Sequence, residues 1–180
     1  MMHARTAAAD KQRVAVDEET VRKFVSLIHE QAARALNGIE RPGVLQLTRL
    51  HPLDKKLVPT RFRIDDVDGM TKQAIADAKA GHNAYVEART VAEGTPPHKR
   101  GDINDTGFVF ALVVDSDADK GQATNRDLSG LASLVIETSP GNRHYWFFLN
   151  QAVRADDAQP VGEAMRQALG TDSRDSDPAV

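Results

Sequence analysis

The chain has no cysteine among its 180 residues. That excludes disulfides, thiolate metal sites and cysteine nucleophiles together, and it fits a reducing compartment. Aromatic residues are scarce at 5%, with one Trp and two Tyr. No stretch approaches the roughly 18 apolar residues that a membrane span needs, so no membrane partner is expected. The opening MMHARTAAADKQRVAV lacks an apolar core, so it does not read as a secretory signal; the acids at Asp10, Asp17, Glu18 and Glu19 argue against a transit peptide. Residues 1–16 are expected to form a flexible N-terminus, and the protein is expected to be cytoplasmic. Positive charge is also missing overall: the formal net is −3, which does not advertise a nucleic-acid binder. What is present is an ordinary globular composition, 41% hydrophobic and 27% charged, at a length suited to one domain with a real core.

Read segment by segment, the charge is uneven. Residues 151–180 hold three basic residues against six acids, so the first 150 sum to zero. Within them, 41–64 carry Arg41, Arg49, Lys55, Lys56, Arg61 and Arg63 against Asp54 alone, a local excess of five. Such a cluster is either a solvated basic face or the footprint of a phosphate backbone.

Hydrophobic periodicity supplies the elements. Residues 17–37 place Val21, Phe24, Val25, Ile28, Ala32 and Leu36 on one helical stripe, with Asp17 as N-cap and Asn37-Gly38 as stop. GVLQLTRL at 43–50 has strand character, and Pro59 breaks 53–65 into loop plus a short strand near 61–64. A second helix fits 68–80, a strand fits 83–91, and 92–106 reads as a polar loop with two prolines and two glycines. From Phe108 to Val114 every residue is apolar, which predicts a central strand, 107–119, covered on both faces. Residues 120–131 fit either a helix or a loop. Strands at 132–138 and 144–150 flank a turn at 139–143, and a last helix fits 161–169. Helices mixed with antiparallel hairpins, without regular alternation, predict the α+β class: a mixed, largely antiparallel sheet with flanking helices.

Two features carry chemistry. In Val113-Val114-Asp115-Ser116-Asp117, strand alternation sends both carboxylates to one side, with Cα atoms about 6.5–7 Å apart. Two such charges repel unless a cation lies between them, and hard ions such as Mg²⁺ or Mn²⁺ take oxygen ligands. The alternative is a strand that simply ends in solvated aspartates. In Thr138-Ser139-Pro140-Gly141-Asn142-Arg143-His144-Tyr145-Trp146, a glycine turn exposes amides able to hold a phosphate, and Arg143 adds charge. Asn142 and His144 alternate onto one side. Here the alternative is a plain turn before an apolar strand.

Together, an apolar strand ending in Asp-x-Asp and a later small-residue turn ending in His resemble the archaeo-eukaryotic primase (AEP) superfamily. The similarity is to its bacterial, phage and plasmid primase-polymerase branch, including RepB-like primases. His144 stands in the histidine position of the family's Ser-x-His motif, and Asn142 stands where the serine usually is. The closing LGTDSRDSDPAV looks like the approach to the family's third, acidic motif, with Asp177 as the better match and Asp172 as the other. GHNAYVEARTV resembles the strand before the first motif, which places Arg89 near the incoming nucleotide or template.

The resemblance implies an RRM-like catalytic core over residues 17–180, truncated at its C-terminus, that joins nucleoside triphosphates on a template with release of pyrophosphate. Asp115 and Asp117, with Asp177 or Asp172, are then the ligands of a two-metal Mg²⁺ or Mn²⁺ site, and Asp115, Asp117 and His144 the catalytic residues. His144, Arg143, Asn142, Ser139 and Arg89 bind dNTP or NTP; Arg49, Lys55, Lys56, Arg61 and Arg63 face the DNA template and primer. A helicase domain or partner encoded downstream is a further expectation. The competing readings are a non-catalytic nucleic-acid-binding module for replication initiation and a metal-dependent nuclease.

Overall fold

A computed structural model describes residues 15–53, 55–118, 121 and 123–170. Chain order is α1 (Glu18–Ala35), β1 (Leu45–Leu50), β2 (Leu57–Phe62), α2 (Val67–Lys79), β3 (Asn83–Val86), β4 (Arg89–Val91), a 3₁₀ turn (Ile103–Asp105), β5 (Thr106–Ser116), β6 (Leu134–Ser139), β7 (Asn142–Val153) and α3 (Ala155–Leu169). The strands form two antiparallel sheets, ordered β2-β1-β3 and β4-β5-β7-β6. The α+β expectation holds.

Helix α1 starts as its sequence dictates. Asp17 caps it, its carboxylate accepting from Thr20 N at 3.0 Å, and the bond from Thr20 holds the Asp17 pKa below its ordinary 3.8. A carboxyl with a lowered folded-state pKa stabilises the fold fully above its unfolded value, and that contribution disappears as pH falls through the folded value. Asp17→Asn keeps a capping oxygen that does not titrate. Its stability, measured by urea melts, is therefore expected to fall less than the wild type's below about pH 3.8. Parallel acid limbs for the two proteins would refute this.

The core gathers Val25, Ile28 and Ala32 of α1, Leu45 and Leu47 of β1, Met70 of α2, and Phe110 and Trp146 of the larger sheet. His29 lies within it, and its Nδ1–H donates to Ile64 O at 2.6 Å, tying α1 to the turn before α2. On the other face of β5 and β7, Val114 and Tyr145 pack with Leu128 and with Leu169 of α3. The apolar β5 is thus covered on both sides, as its composition predicts.

Several boundaries differ from the sequence reading. The strand expected at 83–91 is two strands: β3 pairs with β1, β4 pairs with β5, and Glu87-Ala88 crosses between the sheets. Pro59 sits inside β2 rather than breaking it, because β2 is an edge strand and gives up no ladder bond there. Helix α3 begins at Ala155, not 161; Pro160 lies inside it rather than marking its start. Residues 1–14 of the expected N-terminal segment 1–16, and the acids Asp172 and Asp177, lie outside the described residues.

Candidate active site between the two sheets

β5 and β7 lie in antiparallel register, with Val113 opposite Trp146 and Asp115 opposite His144. These four side chains share one face of the sheet, and they line a cavity of about 280 Å³. The opposing wall comes from the smaller sheet through Thr48, Leu50, Leu57 and Tyr85, and the back from Glu87, Ala88 and Arg100. His144 Nε2 lies 3.4 Å from Asp115 Oδ1, with both side chains about one-third exposed (28% and 35%). An imidazole and a carboxylate are therefore paired at the mouth of a partly apolar pocket, the arrangement in which proton-handling and anion-binding groups are usually found.

Asp117 follows the end of β5 and is buried; it does not line that cavity. Its neighbours on both sides are fixed. Ser116 Oγ accepts from Thr124 N at 3.0 Å, and Ala118 N donates to Asn142 Oδ1 at 2.9 Å. Asn142 is itself buried, and its Nδ2 donates to Ser139 Oγ at 2.9 Å. The turn between β6 and β7, where Gly141 takes φ +84°, is thereby tied to the end of the carboxylate strand. Asn142 and Ser139, expected to meet a nucleotide, spend these groups on each other and on Ala118.

Asn142→Ala is expected to leave the Ala118 amide without its acceptor, at a cost of about 1–3 kcal/mol, the usual penalty for an orphaned buried donor. Amide hydrogen exchange at Ala118 should accelerate, while Asn142→Asp, which keeps the acceptor, should protect it. Unchanged exchange in the alanine variant would show that this bond does not hold the strand end.

The remaining expected residues are distributed otherwise. Arg143 faces the opposite side of the sheet from His144, 4.0 Å from Asp127, and Tyr145 followed by Asp127 and Glu137 keeps its pKa above the ordinary value. Arg89 is fully buried and ion-paired with Glu87, so it reaches neither nucleotide nor template: that expectation is corrected. Arg61 is also structural. Its guanidinium donates to the carbonyls of Thr95, Pro96 and Lys99, pinning the loop after β4. Arg49 turns to the α2 side, 3.6 Å from Asp77, and Arg63 pairs with Asp65. Lys55 and Lys56 are exposed. The basic segment is thus split between two faces and a loop anchor rather than forming one ridge.

Glu87 and Arg100 are cavity residues that the sequence reading missed. Glu87 is buried and accepts from Gln46 Nε2, Thr48 Oγ1, Arg89 Nε and Arg100 Nε at 2.8–3.2 Å. The available signal was an acid and a base two apart inside a strand-like stretch, where neither has a solvent-facing reason to be.

No family model and no curated protein sequence matches the chain. A solved structure does: the AEP domain (PP-N190) of the cyanophage S-2L primase-polymerase (PrimPol). It superposes with a TM-score of 0.58 at 14% sequence identity, over 92% of this chain and 80% of that one. The fold is that of a primase-polymerase AEP domain.

Two carboxylates spaced along one strand end, one half-buried and one buried, suit a hard cation chemically. Among the described residues, no cluster of three or more His, Asp or Glu is placed to hold one. Of the expected ligands, Asp115 and Asp117 are among the described residues. No described helix is long and apolar enough to cross a membrane.

Proposed function

We propose that the chain is the catalytic core of a template-directed nucleotidyltransferase, a DNA primase-polymerase of the RepB-like branch. It joins dNTPs or NTPs with release of pyrophosphate. The observation that carries this reading is the cross-strand pair of Asp115 and His144 at the mouth of the inter-sheet cavity of a primase-polymerase fold.

Asp115 and Asp117 would hold one or two Mg²⁺ or Mn²⁺ ions, with Asp177 or Asp172 completing the set. When bound, such ions acidify the attacking 3′-hydroxyl and offset charge on the triphosphate and leaving pyrophosphate. Asp115 keeps the His144 imidazole oriented through the 3.4 Å contact with Nε2, and the ring's other nitrogen, Nδ1, would be the one to donate to a phosphate oxygen. Leu50, Leu57, Val113 and Trp146 give the cavity apolar walls beside the reacting groups. Lys55, Lys56 and Arg63, on the surface, would meet the backbone of template and primer, with Arg49 partly exposed beside Asp77. A helicase encoded downstream, and action in the cytoplasm, belong to the same reading.

The assay uses primed and unprimed DNA templates with dNTPs or NTPs and Mg²⁺ or Mn²⁺. Product on the unprimed template shows priming; product on the primed template alone shows extension. The lack of a three-ligand cluster among the described residues favours one second reading, a non-catalytic nucleic-acid-binding module. Template retardation in a gel without any product would establish that module instead, and shortened template would establish a nuclease.

A further inference from the structure

The open edges of the two sheets are not alike. An edge strand presents unpaired N–H and C=O groups to any strand that approaches it, and folded proteins protect such edges with proline, lysine, short length or a covering segment. Three of the four edges formed by the described strands are protected in one of these ways. β2 carries Pro59 within it, β3 is four residues long, and β4 is three residues long and bridged by Val44 at Val91. β6, at six residues, has none of these devices. It pairs with β7 alone, and no backbone hydrogen bond among the described residues reaches its other side. Charge does not guard it either. In a chain that is 27% charged, Glu137 is the only charged residue from Leu128 to Asn142. Leu131, just before the strand, is 69% exposed and adds apolar surface beside the edge.

We propose that β6 is a self-association edge, pairing antiparallel with β6 of a second copy of this chain about a two-fold axis at Ile136. Opposite residues of an antiparallel pair point to the same face, and successive residues alternate. A two-fold axis normal to the sheet must therefore bring one residue against its own copy. Centring on Ile136 pairs residues 134–138 and centring on Glu137 pairs 135–139; any other centre pairs fewer. Glu137 as centre sets two carboxylates directly opposite, which is destabilising. Ile136 as centre sets Ile136 against its copy, Leu134 against Thr138 and Val135 against Glu137, with no like charges facing. The strand thus complements itself in length, apolar faces and charge, which favours a second copy over an unrelated peptide. Ile136 lies opposite His144 and Leu134 opposite Trp146 in the β6–β7 register. The pairing therefore joins two four-stranded sheets into one of eight and leaves both Asp115–His144 pairs on the same side of it. It needs no nucleotide, metal or catalysis, so it stands or falls apart from the nucleotidyl-transfer reading.

The full chain is followed by sedimentation equilibrium from about 1 to about 300 µM, the range of transient protein pairs. The wild type is expected to pass from monomer to dimer across it. Thr138→Lys adds a charge at an exposed position and should weaken the dimer about tenfold or more, because each dimer buries the lysine twice. The chain has no cysteine, so an introduced one reports a single position. Ile136→Cys brings two thiols opposite each other at a Cα separation of about 4.5–5.5 Å, within disulfide reach. Thr138→Cys leaves them about 13 Å apart along the strands. Under mild oxidation, a reducible dimer band is expected from Ile136→Cys and not from Thr138→Cys.

A wild type that stays monomeric throughout overturns the proposal. So does a dimer that Thr138→Lys leaves unchanged, or a disulfide that forms more readily through Thr138→Cys than through Ile136→Cys. If the half-buried Ile136→Cys does not fold, the sedimentation of Thr138→Lys still decides, since that side chain is exposed.

Discussion

With Asp115 and Asp117 both replaced by alanine, nucleotide incorporation is expected to fall by roughly three orders of magnitude or more. Metal-borne charge stabilisation is worth several kcal/mol in a transition state, and about 1.4 kcal/mol corresponds to tenfold in rate. Both carboxylates belong to one strand end whose neighbours are fixed by Ser116 and Asn142. Among the described residues no group of three or more His, Asp or Glu is placed to hold a metal in their stead. Primer extension with Mn²⁺ is the measurement, since it reads the metal-dependent step directly. Asp115→Asn serves as the companion, because it keeps the size of the side chain and removes only its charge. Trp146 emission and circular dichroism establish that both variants are folded. Undiminished product from a folded double variant would remove these residues from the chemistry, and with them the two-metal reading.

What was legible in the sequence was legible because it was local. The α1 stripe and its Asp17 cap depend on residues within a few positions of one another, and so does the glycine turn at Gly141. The double coverage of β5 follows from its unbroken apolar run. Strand alternation also places Asp115 correctly, although its pairing with His144 needed the register of β5 against β7, 29 positions apart in sequence. The failures were tertiary. Arg61 and Arg89 read as surface cations because a formal charge carries no information about which carbonyls will surround it. The division of 83–91 was hidden because both halves are strand-like, and only the existence of a second sheet separates them. Asn142 looked like a ligand group for the same reason: its partners, Ala118 and Ser139, are set by how the turn folds back on the strand.

Arg89→Ala is expected to lower stability by about 3–5 kcal/mol, the scale for removing one partner of a buried ion pair. Arg89 is fully buried and Glu87 is 2% exposed. The Arg89 guanidinium spends its donors on the Glu87 carboxylate at 2.8–2.9 Å, on Asp102 O and Thr106 Oγ1 at 2.9 and 2.7 Å, and on Gly101 O at 3.3 Å. One side chain therefore joins the sheet crossover, the loop over the cavity and the first residue of β5. Without it, Glu87 retains Arg100, Gln46 and Thr48 but loses its fully buried counter-charge, and Asp102 O, Gly101 O and Thr106 Oγ1 each lose a bond from it. For a chain of this length about 1 kcal/mol moves Tm by roughly 2–4 °C, so a drop of about 6–20 °C is expected. Arg89→Lys should recover part of it, since a single ammonium restores the charge but not the planar fork. The same experiment separates structure from substrate contact. Nucleotide affinity of Arg89→Ala, measured well below its Tm, should stay close to wild type if the role is structural. A variant of unchanged Tm with weakened nucleotide binding would instead return Arg89 to the substrate, and would require the crossover to open in solution.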